Sequence, residues 1–284
     1  MIDARTFAQR AGDLPSLPAL YYELVEVIGD PDSPVETISN LLQQDQSLAL
    51  RLLRLANSGF YGFPSDIGTL DEAVQLIGLR ELQDLVLATS VIKSFEKVPG
   101  HLVDVGSFWR HSIACGLASA MLAEQRHDPV PERFFVGGLL HDIGRLILFL
   151  NAPEESRLIL DRCEKEERLA QDVEVEVLGF DHAMLGAELI DLWKLPQSLR
   201  EMVGSHHDPS ASPVVFLDAF VVHYADFIVS ALEYGKSGEV FVSPLVVPSN
   251  RARWLMEDDR IEALVTELDH TCEEVFPILT RERS

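Results

Sequence analysis

The chain has 284 residues, 47% of them hydrophobic, and its 23 Lys and Arg against 46 Asp and Glu give a formal net charge of −23. The length suits one large domain or two fused halves, and the charge disfavours a nucleic-acid backbone or an anionic membrane as the main partner, leaving a cation or a basic patch on a protein. Cys115, Cys163 and Cys272 make no CxxC and no disulfide framework, the first residues begin no apolar signal core, and no uninterrupted run of about 18 apolar residues occurs, so a cytoplasmic protein is expected.

Residues 1–95 read as a string of short helices. Leu20, Leu24, Val27 and Ile28 form a helical stripe that stops at Gly29-Asp30-Pro31. Ser33-Pro34-Val35-Glu36 combines a capping box with proline at the first helical position and predicts a helix through Leu42. Asp45 begins another, carrying Leu48, Leu52, Leu53 and Leu55 and ending in Ala56-Asn57-Ser58-Gly59. Thr69-Leu70-Asp71-Glu72 repeats the capping box, and two helices follow, broken at Gly78. Nothing alternates like a strand, which makes this half all-α.

In residues 96–240 the helices carry chemistry. A long helix entered at Ser107 puts His111, Cys115, Ala118 and Leu122 on one face, where Cys115 reads as a small buried hydrophobe. Pro131-Glu132 starts the helix containing Gly137-Gly138-Leu139-Leu140-His141-Asp142-Ile143-Gly144-Arg145. Phe135, Gly138, Asp142, Leu146 and Phe149 share its apolar face, with His141 about 100° round. A carboxylate there needs a cation, a buried arginine or hydrogen bonds to compensate it. Residues 153–167 form a solvated amphipathic helix. Val173-Glu174-Val175-Glu176-Val177 alternates like a strand but, between helices, is read as helix. Asp181 caps a helix with His182, Leu185, Gly186, Leu189 and Trp193 inward, Gly186 permitting close approach of a neighbour. Leu199 to His207 closes on the pair His206-His207. The apolar segment 214–232 holds Asp218, His223 and Asp226, the last beside Val215, Ala219, Val222 and Val229. Residues 241–284 read as one or two closing helices around Trp254 and Leu264.

The inward polar set is therefore His111, His141, Asp142, His182, His206, His207 and Asp226, spread over five predicted helices. Imidazole with carboxylate suits Fe, Mn, Zn, Ni or Co rather than Ca or Mg. The set exceeds what one tetrahedral ion requires. Two divalent transition-metal ions sharing one carboxylate would use all of it, with Fe or Mn first and Zn, Ni or Co as alternatives.

Leu14-Pro15-Ser16-Leu17-Pro18, Gln44-Asp45-Gln46-Ser47-Leu48, Leu52-Leu53-Arg54-Leu55-Ala56-Asn57-Ser58 and Ala73-Val74-Gln75-Leu76-Ile77-Gly78 resemble, in this order, the HDOD family of bacterial signalling modules, with Gln46 where that family carries proline. The resemblance runs from about Leu14 to Val229. It implies an all-α fold, an N-terminal helical half packed on an HD-type half, and signal transduction through a protein partner. The order H, HD, H, HH, D is similar to dinuclear HD phosphohydrolases, including HD-GYP phosphodiesterases. By that resemblance His111, His141, Asp142 and Asp226 hold a first metal, Asp142 bridges, and His182, His206 and His207 serve a second. The implied reaction is hydrolysis of a small phosphoester or nucleotide, with Asp142 and Arg145 at the reacting centre. Arg145 stands where that motif carries lysine, as a phosphate ligand or, alternatively, as a structural ion pair. His206-His207-Asp208-Pro209-Ser210 contains no Gly-Tyr-Pro, and Ser107 stands where some members have a metal-recruiting glutamate, so cyclic di-GMP is not the expected substrate. Two further readings remain open: a non-catalytic module that binds metal or ligand and acts through partners, and di-iron oxygenase chemistry.

Overall fold

A computed structural model describes residues 2–12, 14–95, 98–211, 216–239, 241–247, 255 and 257–280. Val214, Val215 and Trp254 lie outside them. The described residues are all-α, with no strand: α1 (Ala4–Arg10), α2 (Ala19–Gly29), α3 (Val35–Leu42), α4 (Gln46–Ala56), α5 (Leu70–Ile77), α6 (Leu79–Ser94), α7 (Val105–Gln125), α8 (Arg133–Leu140), α9 (Ile143–Asn151), α10 (Pro153–Glu166), α11 (Ala170–Leu178), α12 (His182–Leu192), α13 (Gln197–Gly204), α14 (Phe216–Ala231) and α15 (Asp258–Thr280). The Val173 to Val177 stretch lies within α11 and is helical. Contacts divide the chain into two units, residues 1–15 with 97–266, and residues 16–96 with 267–284. The lines fall at 15/16, 96/97 and 266/267, the last inside α15, where the sequence reading placed them at 95 and 240.

In the unit built around residues 16–96, side-chain caps fix several starts. Asp45 accepts from Leu48 N–H at 3.0 Å at the head of α4. Thr69 and Glu72 form a complete capping box on α5. Gly78, at φ 97°, turns the chain between α5 and α6 in a conformation that a side chain disfavours. The box read at Ser33 to Glu36 does not form. Pro34 is the N-cap itself, with ψ 147°, and no side chain caps α3. Its extended ψ keeps the proline outside the helix, so α3 starts one residue later and Ser33 is too far from the first turn.

The other unit holds the candidate site, and glycines decide how closely its helices approach. A Cβ on Gly138 would lie 2.4 Å from the Cys115 carbonyl oxygen, and one on Gly116 would lie 2.6 Å from that of Phe135. α7 and α8 therefore touch backbone to backbone, which brings His111 beside His141. A second contact of this kind joins α9 to α12: a Cβ on Gly144 would sit 2.0 Å from the His182 carbonyl oxygen and 2.9 Å from Gly186 N. Around these contacts Phe108, Phe134, Leu146, Leu185 and Val222 are buried, each worth roughly 1.5–3 kcal/mol of transfer free energy. α1 packs on α12, where Phe7 meets Phe180 at 5.4 Å between ring centroids and Trp193 Nε1–H donates to the Pro15 carbonyl at 2.9 Å. Residues 133–151 are long and apolar enough to cross a membrane by composition, but 89% of that window is buried inside the protein, as a core segment would be.

Candidate metal centre

The helix expected to run through His141 and Asp142 is broken there. α8 ends at Leu140 and α9 begins at Ile143, with Asp142 at φ −95°, ψ 9°. Gly138 O, the acceptor that a continuing helix would offer to Asp142 N–H, is taken instead by the His141 Nδ1–H at 2.6 Å. Asp142 then caps α9 at its backbone, accepting Arg145 N–H on its carbonyl at 2.9 Å. The break turns both side chains toward one point rather than leaving them about 100° apart on one cylinder.

That point gathers all seven residues of the inward set. Asp142, 2% exposed, is in the middle. Its Oδ2 is 3.3 Å from His141 Nε2 and 3.9 Å from His111 Nε2, and these imidazoles in turn lie 3.7 and 3.2 Å from Asp226 Oδ1. Its Oδ1 faces the opposite side, 3.0 Å from His182 Nε2 and 3.8 Å from His206 Nε2. His207 Nε2 is 2.8 Å from His182 Nε2. One carboxylate thus separates two groups of donors. His111, His141 and Asp226, with the Cys115 thiol 3.6 Å from His111 Nε2, form one group; His182, His206 and His207 form the other.

Tautomers follow from the outer partners. A carbonyl or carboxylate oxygen can only accept, so Nδ1 of His141, His206 and His182 carries the proton and donates to Gly138 O (2.6 Å), Val203 O (2.7 Å) and Glu174 Oε2 (2.6 Å) respectively. With Nδ1 so committed, Nε2 of each ring is the nitrogen turned to the centre, and it offers a lone pair there once it gives up any second proton, as a metal ligand must. His141 Nε2 and His206 Nε2 are buried with no hydrogen-bond partner among the described residues. Lone pairs aimed at carboxylate oxygens and at one another repel unless a positive charge lies between them, and an outer hydrogen bond on the far nitrogen is the usual way of fixing a metal-binding imidazole. Donors about 2.1 Å from a common ion at tetrahedral or octahedral angles are roughly 3.0–3.4 Å apart, close to the spacing here.

Electrostatics point the same way. Burial opposes protonation of His141, yet Asp142 and Asp226 outweigh it and push the imidazole up to about 9. His182, opposed by burial and Arg145, is pushed up to about 10 by Glu174 and Asp142. Burial and the neighbouring His141 and His182 drive His206 down to about 3, and burial with His206 and His182 also lowers His207. Burial would raise Asp142, but Arg145 and His141 hold it well below the usual carboxylate range. The cluster of acids demands positive charge, which protons on two of its imidazoles supply in part.

Arg145 closes one side. Its Nε donates to Asp142 Oδ1 at 3.0 Å, its Nη1 lies 3.7 Å from Glu174 and its Nη2 pairs with Glu239. At 2% exposure, its guanidinium is surrounded by three carboxylates. Glu239 arrives on a segment that crosses the start of α7, where a Cβ on Gly235 would be 2.2 Å from the Ser107 carbonyl and Lys236 N–H donates to Ser107 Oγ at 2.9 Å. A cavity of about 100 Å³ between this segment and α7 reaches His111 and Glu239.

Four contributors escape sequence reasoning. Glu174 accepts both the His182 ring N–H and its backbone N–H (2.8 Å); the strand-like alternation of its neighbours masks it, and only the helical placement of Val173, Glu174 and Val177 reveals an inward acid. Glu239 lies in irregular chain with no periodicity to mark it. Cys115 is buried as expected, but at the edge of the donor set. His223, noted but left out of the set, donates from Nδ1 to His206 O (2.6 Å) and accepts from Val246 N–H (2.8 Å), a satisfied ring that fixes its neighbour.

The model of the HDOD domain matches residues 14–209. The chain belongs to the HDOD family. A crystal structure of an HDOD domain protein of unknown function from Geobacter sulfurreducens is similar to this HDOD chain at 24% identity, with a TM-score of 0.75, covering 97% of this chain and 95% of that one. A protein from Shewanella amazonensis SB2B, provisionally named a phosphohydrolase, is 26% identical, with a TM-score of 0.73 over 97% of this chain and 98% of its own. An uncharacterized protein of Treponema pallidum (strain Nichols) is 27% identical over 212 residues, 74% of this chain. The HDOD chain matches only 40% of that relative's length.

Proposed function

We propose that this HDOD protein is a cytosolic signalling protein whose buried His/Asp cluster holds two divalent transition-metal ions, Fe or Mn first, and hydrolyses a small phosphoester. The observation that carries the reading is the pair of buried Nε2 atoms of His141 and His206, without a hydrogen-bond partner among the described residues, each ring anchored through Nδ1 and turned to opposite oxygens of Asp142. His111, His141 and Asp226 would hold one ion, His182, His206 and His207 the other, with Asp142 between the two groups available to both. Bound ions in such a pair supply charge for the phosphate oxygens and a hydroxide near neutral pH. Glu174 keeps His182 in the Nδ1–H tautomer, and Arg145 holds Asp142 ionised. The Shewanella amazonensis protein, similar over nearly its whole length, carries a phosphohydrolase name in support. The approach beside His111 is small, which favours a small phosphoester over a cyclic dinucleotide.

A second reading, that the centre holds metal without catalysis and output passes through a protein partner, is favoured by Arg145, whose guanidinium is engaged by Asp142, Glu174, Glu239 and the His182 ring rather than open to a substrate. Metal content by inductively coupled plasma mass spectrometry, beside Asp142→Ala and a phosphoester screen with Mn²⁺ or Fe²⁺, tests both. About two ions per chain, lost together with hydrolysis in the variant, are expected. Metal without turnover leaves the second reading; absence of metal after anaerobic reconstitution refutes both.

A further inference from the structure

The unit built around residues 16–96 contains a cavity of about 450 Å³, remote in sequence from the histidine cluster. Its wall includes the start of α4, Arg51 on the next turn of that helix, Lys93 of α6, and an apolar side of Pro18, Leu20 and Leu48. Arg51 is only 8% exposed, and among the described residues it has neither an ion pair nor a hydrogen bond. A guanidinium keeps its charge at any physiological pH, and a buried charge without a counter-charge is costly. A chain with 46 acids and 23 bases had acids to spare for this arginine, yet among the described residues the single carboxylate on the wall, Asp45, commits Oδ1 to Leu48 N–H.

The geometry around Arg51 is that of an anion site. Arg51 lines the same cavity as Asp45, Ser47 and Leu48 at the start of α4, the end toward which side chains on a helix lean. The Asp45 cap satisfies Leu48 N–H, while the N–H groups of Gln46 and Ser47 are not used by the helix. Helix dipole, first-turn N–H groups, a guanidinium and the Lys93 ammonium together match a phosphate dianion better than a single carboxylate. The volume far exceeds a bare phosphate and lies in the range of small-molecule sites. We propose that this cavity binds a phosphomonoester of nucleotide size, its phosphate on Arg51 and the start of α4, its body against Pro18, Leu20 and Leu48.

The test is calorimetric titration of the full chain, stripped of metal with EDTA, with adenosine 5′-monophosphate, inorganic phosphate and adenosine as probes. Saturable binding of the monophosphate, competition by inorganic phosphate and none by adenosine are expected. Arg51→Met should weaken it roughly ten- to a hundredfold, Lys93→Ala, at an exposed position, should weaken it less, and Asp142→Ala should leave it unchanged. In phosphate-free buffer Arg51→Met should keep or raise Tm, because among the described residues the arginine has no ion-pair or hydrogen-bond partner to lose. Equal binding by wild type and both cavity variants, no saturable binding of either phosphate probe, or loss of binding with Asp142→Ala alone overturns the proposal. So does a fall in Tm on Arg51→Met, which would mark the arginine as structural. If Arg51→Met does not fold, unchanged binding in Lys93→Ala refutes it.

Discussion

Glu174→Gln separates the two halves of the centre. Glu174 is 3% exposed and accepts two hydrogen bonds from His182, at 2.6 Å to Nδ1 and 2.8 Å to the backbone N, while its other oxygen lies 3.7 Å from Arg145. Glutamine keeps the shape and one acceptor but removes the charge and turns an NH2 toward Arg145 or His182, both of which need an acceptor. Exchanging charge-assisted bonds of about 1.5–3 kcal/mol for neutral ones of about 0.5–1.5 kcal/mol costs on the order of 1–3 kcal/mol at His182. Removing such an outer partner of a metal-binding histidine weakens affinity roughly 10–100-fold. The loss should fall on the ion served by His182, His206 and His207, because Glu174 touches none of His111, His141 or Asp226. Calorimetric titration of EDTA-stripped protein with Mn²⁺, with bound metal counted by mass spectrometry, should give one retained and one weakened step. Unchanged affinities, or equal weakening of both steps in a variant with native circular dichroism, would refute the argument that Glu174 acts through His182.

Gly144→Ala places a Cβ 2.0 Å from the His182 carbonyl, where backbone rather than a movable side chain must yield; a destabilisation of about 3 kcal/mol, roughly 5–10 °C in Tm, is expected, and an unchanged melt would contradict the α9–α12 contact. Stripped of metal, the protein should lose stability with rising pH: His141 and His182, despite burial, are held up at about 9 and about 10, so the protons they bind stabilise the folded state fully below about 6.5, and this is lost as pH rises through those values. His206 and His207, held low, oppose this only below about 6.5, so urea midpoints at about pH 7 and pH 10 should differ by an amount on the order of a few kcal/mol in EDTA, a gap that bound metal should shrink. Thr69→Val removes the side-chain half of the α5 capping box and should lower the urea midpoint by about 1 kcal/mol equivalent, with metal content unchanged.

Local signals in this sequence are reliable where a single residue can satisfy them. Asp45, Thr69 and Asp181 cap the helices they precede, because each needs only a backbone N–H three residues on or fewer. The inward stripes through His111, His182 and Asp226 were legible because helical periodicity survives packing. Ser33 misleads because a favourable composition says nothing about the ψ that Pro34 adopts. The break between His141 and Asp142 was hidden, since it arises from a ring nitrogen claiming a backbone carbonyl, a choice that periodicity does not encode. Glu174 and Glu239 were hidden for a related reason: each acts on a residue of another element, His182 and Arg145, and such pairings exist only once the helices have met.

The assignment of residues 1–15 to the unit of residues 97–266 bears on how the chain folds as it is synthesised. Pro15 O waits for Trp193, 178 residues later, and in the other unit Gly59 N–H waits 215 residues for Glu274. Neither unit is therefore complete when its own central stretch has left the ribosome. Long-range closures of this kind slow folding and leave apolar faces exposed in the interim. The two segments at risk are α1, released long before α12, and the groove on α4 at Leu53 and Asn57 that the end of α15 later lines.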